Sequence, residues 1–209
     1  MDNELVVTGI CGSLRDGSYT RIALTIALQG AEEAGAKTKL IDLRNYDLAF
    51  CDGRFNNETY PEDVSKLKEE VGESHGIILG TPEYHSGYSG VLKNALDLMG
   101  FDEFGGKMVG LLGVAGGSMG ATNALNGLRT IGRSLHAWVI PDQVSIPQAG
   151  TIFDESGNIR DDKLSERIKN LGNQVTKFAL LHNFGKSKEF LREWEDAPVN
   201  PGAAIKKKE

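Results

Sequence analysis

The residues best suited to chemistry in this sequence stand close to its start. Gly9-Ile10-Cys11-Gly12-Ser13-Leu14-Arg15-Asp16-Gly17-Ser18-Tyr19-Thr20-Arg21 mixes glycines, hydroxyls and guanidinium groups. Ser13, Ser18 and Thr20 offer hydroxyl donors, and Arg15 offers a planar fork that matches phosphate. Such a set closes on an anion best where a strand turns into a helix. The first N–H groups of a helix are unpaired there and carry about half a positive charge. Glycines let that backbone come close to a ligand. A plainer alternative is a solvated loop in which Ser18 or Thr20 only caps a helix. Capping requires neither the Arg nor so many hydroxyls, so a phosphate cradle is the better reading.

Two later stretches have a related character. Pro82-Glu83-Tyr84-His85-Ser86 supplies an aromatic face, a rigid turn and backbone donors. Gly116-Gly117-Ser118 supplies N–H groups and close backbone approach. Metal chemistry is not expected, because His75, His136 and His182 show no ligand spacing. Cys11 and Cys51 are far apart, form no CxxC and are read as buried or incidental thiols of a reducing compartment.

These stretches need elements to position them. Leu5, Val6, Val7 and Ile10 read as a buried strand before the first turn. Ile22, Ala23, Ile26, Ala27 and Gly30 give a helix after it. Lys37 to Leu43 is a second strand, and Arg44 to Tyr60 a long mixed connection. Thr59 is expected to cap the next helix in a box with Glu62; Val64, Leu67 and Val71 mark its face. Gly76 to Gly80 is a third strand, ended by Pro82. Leu92, Ala95, Leu96 and Met99 follow at helical spacing. Met108 to Val114 is a fourth strand, and Leu125, Leu128, Gly132 and Leu135 mark the helix after it. His136 to Ile140 is a fifth strand, stopped by Pro141. Ile146 to Phe153 reads as irregular, and Leu164, Ile168, Leu171, Val175 and Phe178 as a last long helix. Strand and helix alternate five times, and the strands are apolar on both faces. That pattern predicts a three-layer α/β/α fold around a parallel sheet.

The chain has 209 residues, enough for one domain, and a net charge of −6. The acidic balance argues against nucleic acid and against an anionic membrane surface. The acidic start shows no secretory signal and no apolar run approaches the roughly 20 residues of a membrane span, so a cytoplasmic location is expected. Residues 1–185 read as one domain. The tail, 186–209, is different: Phe190 and Trp194 lie on one side of a short amphipathic stretch, before Pro198, Pro201 and three closing lysines. It reads as a solvated terminus or as a strap across a neighbouring subunit.

Two ligands suit a phosphate turn after the first strand. A dinucleotide in a Rossmann fold requires G-x-G-x-x-G and an acid about 20 residues on. Gly9, Gly12 and Gly17 have the wrong spacing, although Asp42 could stand for the acid. Flavin mononucleotide in a flavodoxin-like sheet of order 2-1-3-4-5 requires loops after strands three and four to hold a flat ring beside the phosphate. Both such loops are present, which favours the flavin.

Here the sequence resembles a known family. Gly12-Ser13-Leu14-Arg15-x-x-Ser18, Thr81-Pro82-Glu83-Tyr84-His85-Ser86 and Leu92-Lys93-Asn94-Ala95-Leu96-Asp97 look like the motifs of the NADPH-dependent FMN reductases, in the same order, between about Glu4 and Leu181. The family includes quinone, chromate and azo-dye reductases. The resemblance implies a flavodoxin-like fold with a five-stranded parallel sheet, bound FMN, NADPH (or NADH) as electron donor, and a homodimer or homotetramer. It places the phosphate on Ser13, Arg15, Ser18, Tyr19 and Thr20, with Tyr19 acting through its backbone. It borders the ring with Pro82, Glu83, Tyr84, His85 and Ser86 and with Gly116, Gly117 and Ser118. Many members have Asn where this chain has Thr20 and where it has His85.

The implied reaction passes hydride from NADPH through FMN to a quinone, free flavin or similar small-molecule acceptor. Hydride transfer requires no side-chain base. Protonation of the acceptor could use His85, Tyr84 or solvent. The competing reading is a flavodoxin-type electron carrier without a nicotinamide site. Carriers are usually more acidic, whereas this chain sets 23 basic residues against 29 acidic ones. That balance favours the enzyme.

Overall fold

The computed structural model describes residues 4–54, 59–154 and 156–183. The predicted tail, 186–209, lies outside them. The chain alternates as expected. Strand β1 (Val6–Cys11) leads to helix α1 (Tyr19–Glu33), and β2 (Lys37–Asp42) ends in a single 3₁₀ turn over Leu43–Asn45. Helix α2 (Glu62–Gly72) precedes β3 (Gly76–Tyr84), which turns back as the two-residue β4 (Gly87–Tyr88). Helix α3 (Gly90–Asp97) and the short α4 (Phe101–Phe104) follow. Then come β5 (Met108–Val114), α5 (Thr122–Ser134), β6 (Trp138–Ile146), the short α6 (Ala149–Ile152) and α7 (Asp162–Asn183).

The strand order is β2-β1-β3-β5-β6, all parallel, with β4 antiparallel on the end of β3. With the β4 hairpin set aside, this is the expected 2-1-3-4-5 order. One core lies between the sheet and α1 with α7, and includes Val7, Leu24, Ile78, Leu112 and Ile168. The other lies between the sheet and α2, α3 and α5, and includes Ile10, Leu67, Leu79, Leu92 and Leu125. Residues 109–112 are all buried because the sheet is covered on both faces.

Several boundaries differ from the sequence reading. Pro82 does not end β3: the strand continues to Tyr84, and Pro82 pairs with Val114. The β1 ladder stops at Gly80, so β3 has a free side beyond it, where a missing N–H is tolerated. Pro141 does not stop β6 either. It falls where the ladder shifts, between Val109 opposite Val139 and Leu111 opposite Gln143, and a bulge on an edge strand tolerates Pro. Thr59 is not the cap of α2. Pro61 occupies that position without a side-chain bond, and Glu62 and Asp63 supply negative charge to the first turn instead. The segment after β6 contains α6 and is not wholly irregular. On α1 the fully buried face is Ala23, Leu24, Ala27 and Ala31, while Ile22 and Ile26 pack only partly against the core. Phe178 is exposed at the edge of α7, where Val175 and Ala179 carry the core contact.

Helix α1 is held at its far end by contact with α7. A Cβ on Gly30 would lie 1.9 Å from the Lys169 carbonyl oxygen, and one on Gly172 would lie 1.7 Å from that of Ala27. Only glycine allows these backbones to meet. The crossing sets the axis of α1 and therefore the direction in which its N-terminus points.

Candidate cofactor site

The N-terminus of α1 points to the carboxyl end of the sheet, where β1, β3 and β5 all finish. Ser18 caps the helix, its Oγ accepting from the Arg21 N–H at 3.2 Å. The plainer role for Ser18 is thus real; because Oγ acts there as an acceptor, the hydroxyl still has a proton to donate. Ser13, Ser18 and Thr20 are all buried. No bond to the Thr20 hydroxyl is found among the described residues, and the Arg15 guanidinium has no ion-pair partner among them either. Tyr19 stacks its ring on Phe153 with centroids 4.6 Å apart, so its side chain is structural and its backbone remains for the turn.

A cavity of about 280 Å³ opens at this point. Ser13, Arg15, Ser18, Tyr19 and Thr20 form one side. Pro82, Glu83 and Tyr84 form a second, and Ala115 with Gly116 a third. The predicted loops therefore meet. His85, Ser86, Gly117 and Ser118 are not on this wall and stand exposed. A Cβ on Gly17 or Gly116 would meet no atom within 4 Å, which leaves open space where a ligand would approach. Gly12 behaves differently. A Cβ there would come within 2.7 Å of Leu92 Cβ, so this glycine serves packing of the turn on α3.

The side chains divide between bracing and binding. Asp42, at the end of β2, is buried and accepts from Arg44 Nη2 at 2.7 Å and from Arg21 Nη1 at 3.2 Å. Arg44 continues to Asp16 at 3.2 Å, and Arg21 donates to the Asp16 carbonyl. Burial pushes the Asp42 carboxyl up, but the hydrogen bonds from Arg44 and the charges of Arg44 and Arg21 outweigh it and hold the carboxyl below its usual range. Asp42 is therefore a brace under the turn and not a ribose ligand. Cys11 lies beneath the same turn; burial pushes its thiol up, which keeps it protonated and inert.

Glu83 turns its carboxylate to the N-terminus of α5, where Oε2 accepts from the Ala124 N–H at 3.0 Å. That helix has no cap of its own, so Glu83 supplies one from β3. His85 and Ser86 have φ of 49° and 62° and form the two-residue turn of the β3–β4 hairpin. Both central residues are left-handed, as a type I′ turn requires. His85 thus occupies a position that favours Asn for backbone reasons.

Two contributors were not anticipated. Ser89 donates to the Gly12 carbonyl at 2.6 Å and caps α3 through the Leu92 N–H at 3.2 Å, tying the third-strand loop to the first. Ala149 and Gly150 join the cavity wall from the segment after β6. They are carried there by bonds from Gln148 N–H to the Gly117 carbonyl at 3.0 Å and from Ala149 N–H to the Ala115 carbonyl at 3.0 Å. Ser89 precedes an apolar helical run, a cap signal visible in sequence; the pairing of residues 148–149 with the β5 turn has no such signal. Among the described residues, no helix is long and apolar enough to cross a membrane, and no cluster of His, Cys, Asp or Glu could hold a metal ion.

A flavodoxin-like sheet with a hydroxyl- and arginine-lined turn after β1 and two further loops at the same edge matches the class of mononucleotide-binding α/β proteins. Comparison with known proteins narrows the class. The family described as NADPH-dependent FMN reductase matches residues 5–151, and the chain belongs to that family. It is 33% identical over 178 residues to an NAD(P)H-dependent FMN reductase of Pseudomonas aeruginosa, covering 81% of this chain and 92% of that one. It is 39% identical over 140 residues to an FMN-dependent NADPH-azoreductase of Staphylococcus saprophyticus, covering 65% and 73%. The structure of the NAD(P)H:acceptor oxidoreductase FerB from Paracoccus denitrificans superposes with a TM-score of 0.65 at 24% identity, over 85% of this chain and 98% of that one, and supports the fold. The protein is an FMN-dependent NAD(P)H oxidoreductase.

Proposed function

We propose that FMN binds with its phosphate among Ser13, Arg15, Ser18, Thr20 and the Tyr19 N–H. Its ring would lie between Pro82–Ser86 and Gly116–Ser118, and electrons would pass from NADPH to a quinone, free flavin or similar small acceptor. One observation carries this reading: the loops meet at a single cavity whose Arg15 guanidinium makes no ion pair among the described residues. The donor set suits a dianion, with hydroxyls, helix N–H groups and one cation converging.

When bound, FMN supplies hydride acceptance from nicotinamide and its delivery to the acceptor. The chain supplies position and charge. Ser18, Thr20 and Arg15 hold the phosphate. The Asp42–Arg21–Arg44 brace keeps the turn from relaxing when the phosphate leaves. Backbone N–H groups around Gly117 and Ser118 would offset negative charge on the reduced ring, as an oxyanion hole does. The Gly117 carbonyl is already engaged by Gln148, which fixes that loop. Tyr84 stands at the cavity mouth, 49% exposed, where it can cover a flat ligand or move aside.

Assembly as a homodimer or homotetramer, a cytoplasmic location, and residues 1–185 as the catalytic unit belong to the same proposal. The family's habits support the first, and the acidic composition is compatible with the second. The protein purified with FMN is expected to be yellow, to bleach with NADPH under anaerobic conditions, and to regain colour with a benzoquinone. Bound FMN that NADPH does not bleach would overturn the enzyme reading in favour of an electron carrier.

A further inference from the structure

A second and larger cavity, about 710 Å³, lies beside the cradle and shares Arg15 and Tyr84 with it. Its volume is in the range of small-molecule sites. Leu14, Leu43, Leu48, Phe50 and Val91 line it away from the shared boundary. The polar groups on that wall are consumed by the protein. Asn94 Nδ2 donates to the Ala49 carbonyl at 3.0 Å and its Oδ1 accepts from the Cys51 N–H at 2.9 Å. Ser89 is occupied by Gly12 and Leu92, and the Tyr46 hydroxyl donates to Glu70. Phe50 lies between the two Asn94 clamps, reinforced by Cys51 Sγ on the Asp97 carbonyl at 3.3 Å, yet the residue is 85% exposed. Among the described residues, no packing accounts for a phenyl ring whose backbone is pinned while its face stays open.

We propose that this cavity seats the apolar part of the electron acceptor, and that the acceptors the chain favours are uncharged quinones bearing an alkyl substituent. The inference rests on the FMN-dependent reductase reading above. The polar quinone head turns towards the Arg15–Tyr84 boundary, and the alkyl group extends along Leu48 to Phe50. A dinucleotide suits that wall less well, because away from the Arg15–Tyr84 boundary its ribose and phosphate oxygens would meet side-chain donors already committed to the protein. The reaction balances as NADPH plus one proton plus quinone giving NADP+ plus hydroquinone: hydride brings both electrons, and solvent supplies the second proton. Asn94 is a positioning residue that holds the outer wall, and Phe50 is a specificity residue.

The test compares kcat/KM for methyl- and decyl-substituted benzoquinones with the FMN-loaded protein, beside titration calorimetry of the decyl compound without NADPH. Burial of the added methylenes predicts a preference for decyl of at least about tenfold. Phe50→Asp, a change at an exposed side chain, should reduce the ratio to within about twofold and raise the decyl dissociation constant by a similar factor. Asn94→Ala should raise KM for the decyl compound more than it lowers kcat. A wild-type ratio near one, or a ratio that Phe50→Asp leaves unchanged, overturns the proposal even when turnover is brisk, and the reductase reading then stands. If the protein binds FMN but NADPH does not reduce it, the reductase reading fails; decyl binding that Phe50→Asp abolishes still supports the apolar seat, and no decyl binding removes it.

Discussion

The cradle after β1 and the loops that face it are built in opposite ways. In the cradle the hydroxyls of Ser13, Ser18 and Thr20 are buried, the turn is braced by Asp42, Arg21 and Arg44, and Ser89 bolts it to α3. On the far side, residues 116–119 are exposed, Tyr84 is half exposed, and His85 and Ser86 form the tip of a two-residue hairpin. One end suits a group that stays, and the other suits partners that come and go. A reductase that alternates donor and acceptor requires both. Affinity for the resident group is set by preorganised charge, whereas turnover requires an accessible face.

The largest effect is expected from breaking the tight end. Ser18→Asp replaces a donor with a carboxylate beside the proposed phosphate position. Loss of a hydrogen bond to a charged group costs about 1.5–3 kcal/mol, and each pair of like charges at about 4 Å adds roughly 1–4 kcal/mol, depending on the effective dielectric. FMN affinity should fall by at least about a hundredfold, equivalent to about 3 kcal/mol. Asp also caps helices, so the melting temperature should change little. Titration of the apoprotein with FMN, beside a thermal melt, separates the two. Unchanged affinity would mean that the phosphate does not sit at Ser18. Ser18→Ala should show a smaller loss of the same sign.

Removing the brace should act on stability as well as binding. Asp42→Ala leaves Arg21 and Arg44 facing each other under the turn. A cost of about 2–3 kcal/mol is expected, below that of a fully buried pair because both arginines are partly exposed. The effect should depend on pH. The folded protein holds the Asp42 carboxyl below its ordinary value of 3.8. Its contribution is therefore present above about that pH and is lost as pH falls through the lower folded value. The melting-temperature gap between wild type and Asp42→Ala should be widest near neutrality and narrow in acid. A gap that does not change with pH would assign the loss to packing and not to charge.

The braced end was also the more legible one in sequence. Hydroxyls, glycines and Arg15 stand within one short run, and their chemistry is local. Strand β5 was equally clear: a run with both faces covered has no polar position to blur its limits, and Met108–Val114 was read at both ends. The misreadings came where tertiary context relaxes a local rule. Pro82 and Pro141 usually end strands, but one sits beyond the reach of β1 and the other in a bulge on the edge strand. In sequence Asp42 could only stand for the acid of a rejected dinucleotide reading; its role as a brace was not legible, because Arg21 and Arg44 are brought to it only by the fold. Glu83 does line the cavity, but its second role was not legible: its bond to the N-terminus of α5 spans 41 positions that no spacing rule connects. Ala149 and Gly150 reach the cavity through backbone pairing that side-chain types do not encode.

The smallest effect bears on the open end and decides what His85 does. It was a candidate proton donor on side-chain grounds. Its φ of 49° gives it a second reason to be noticed, because it fills the first central position of a type I′ turn. Asn is better suited to that conformation than His, since its short amide bonds locally in the left-handed region. His85→Asn should therefore stabilise the hairpin slightly, by less than about 1 kcal/mol, the upper end of what backbone-compatible substitutions give. A general acid contributes about 10²–10⁴ in rate, and its loss reshapes the pH dependence. If His85 is only a turn residue, kcat with a benzoquinone changes less than about twofold and the pH profile is unmoved. If kcat falls by a hundred or more and the limb attributable to a histidine disappears, His85 delivers the proton. The open end would then carry chemistry of its own, in addition to giving donor and acceptor access to the site.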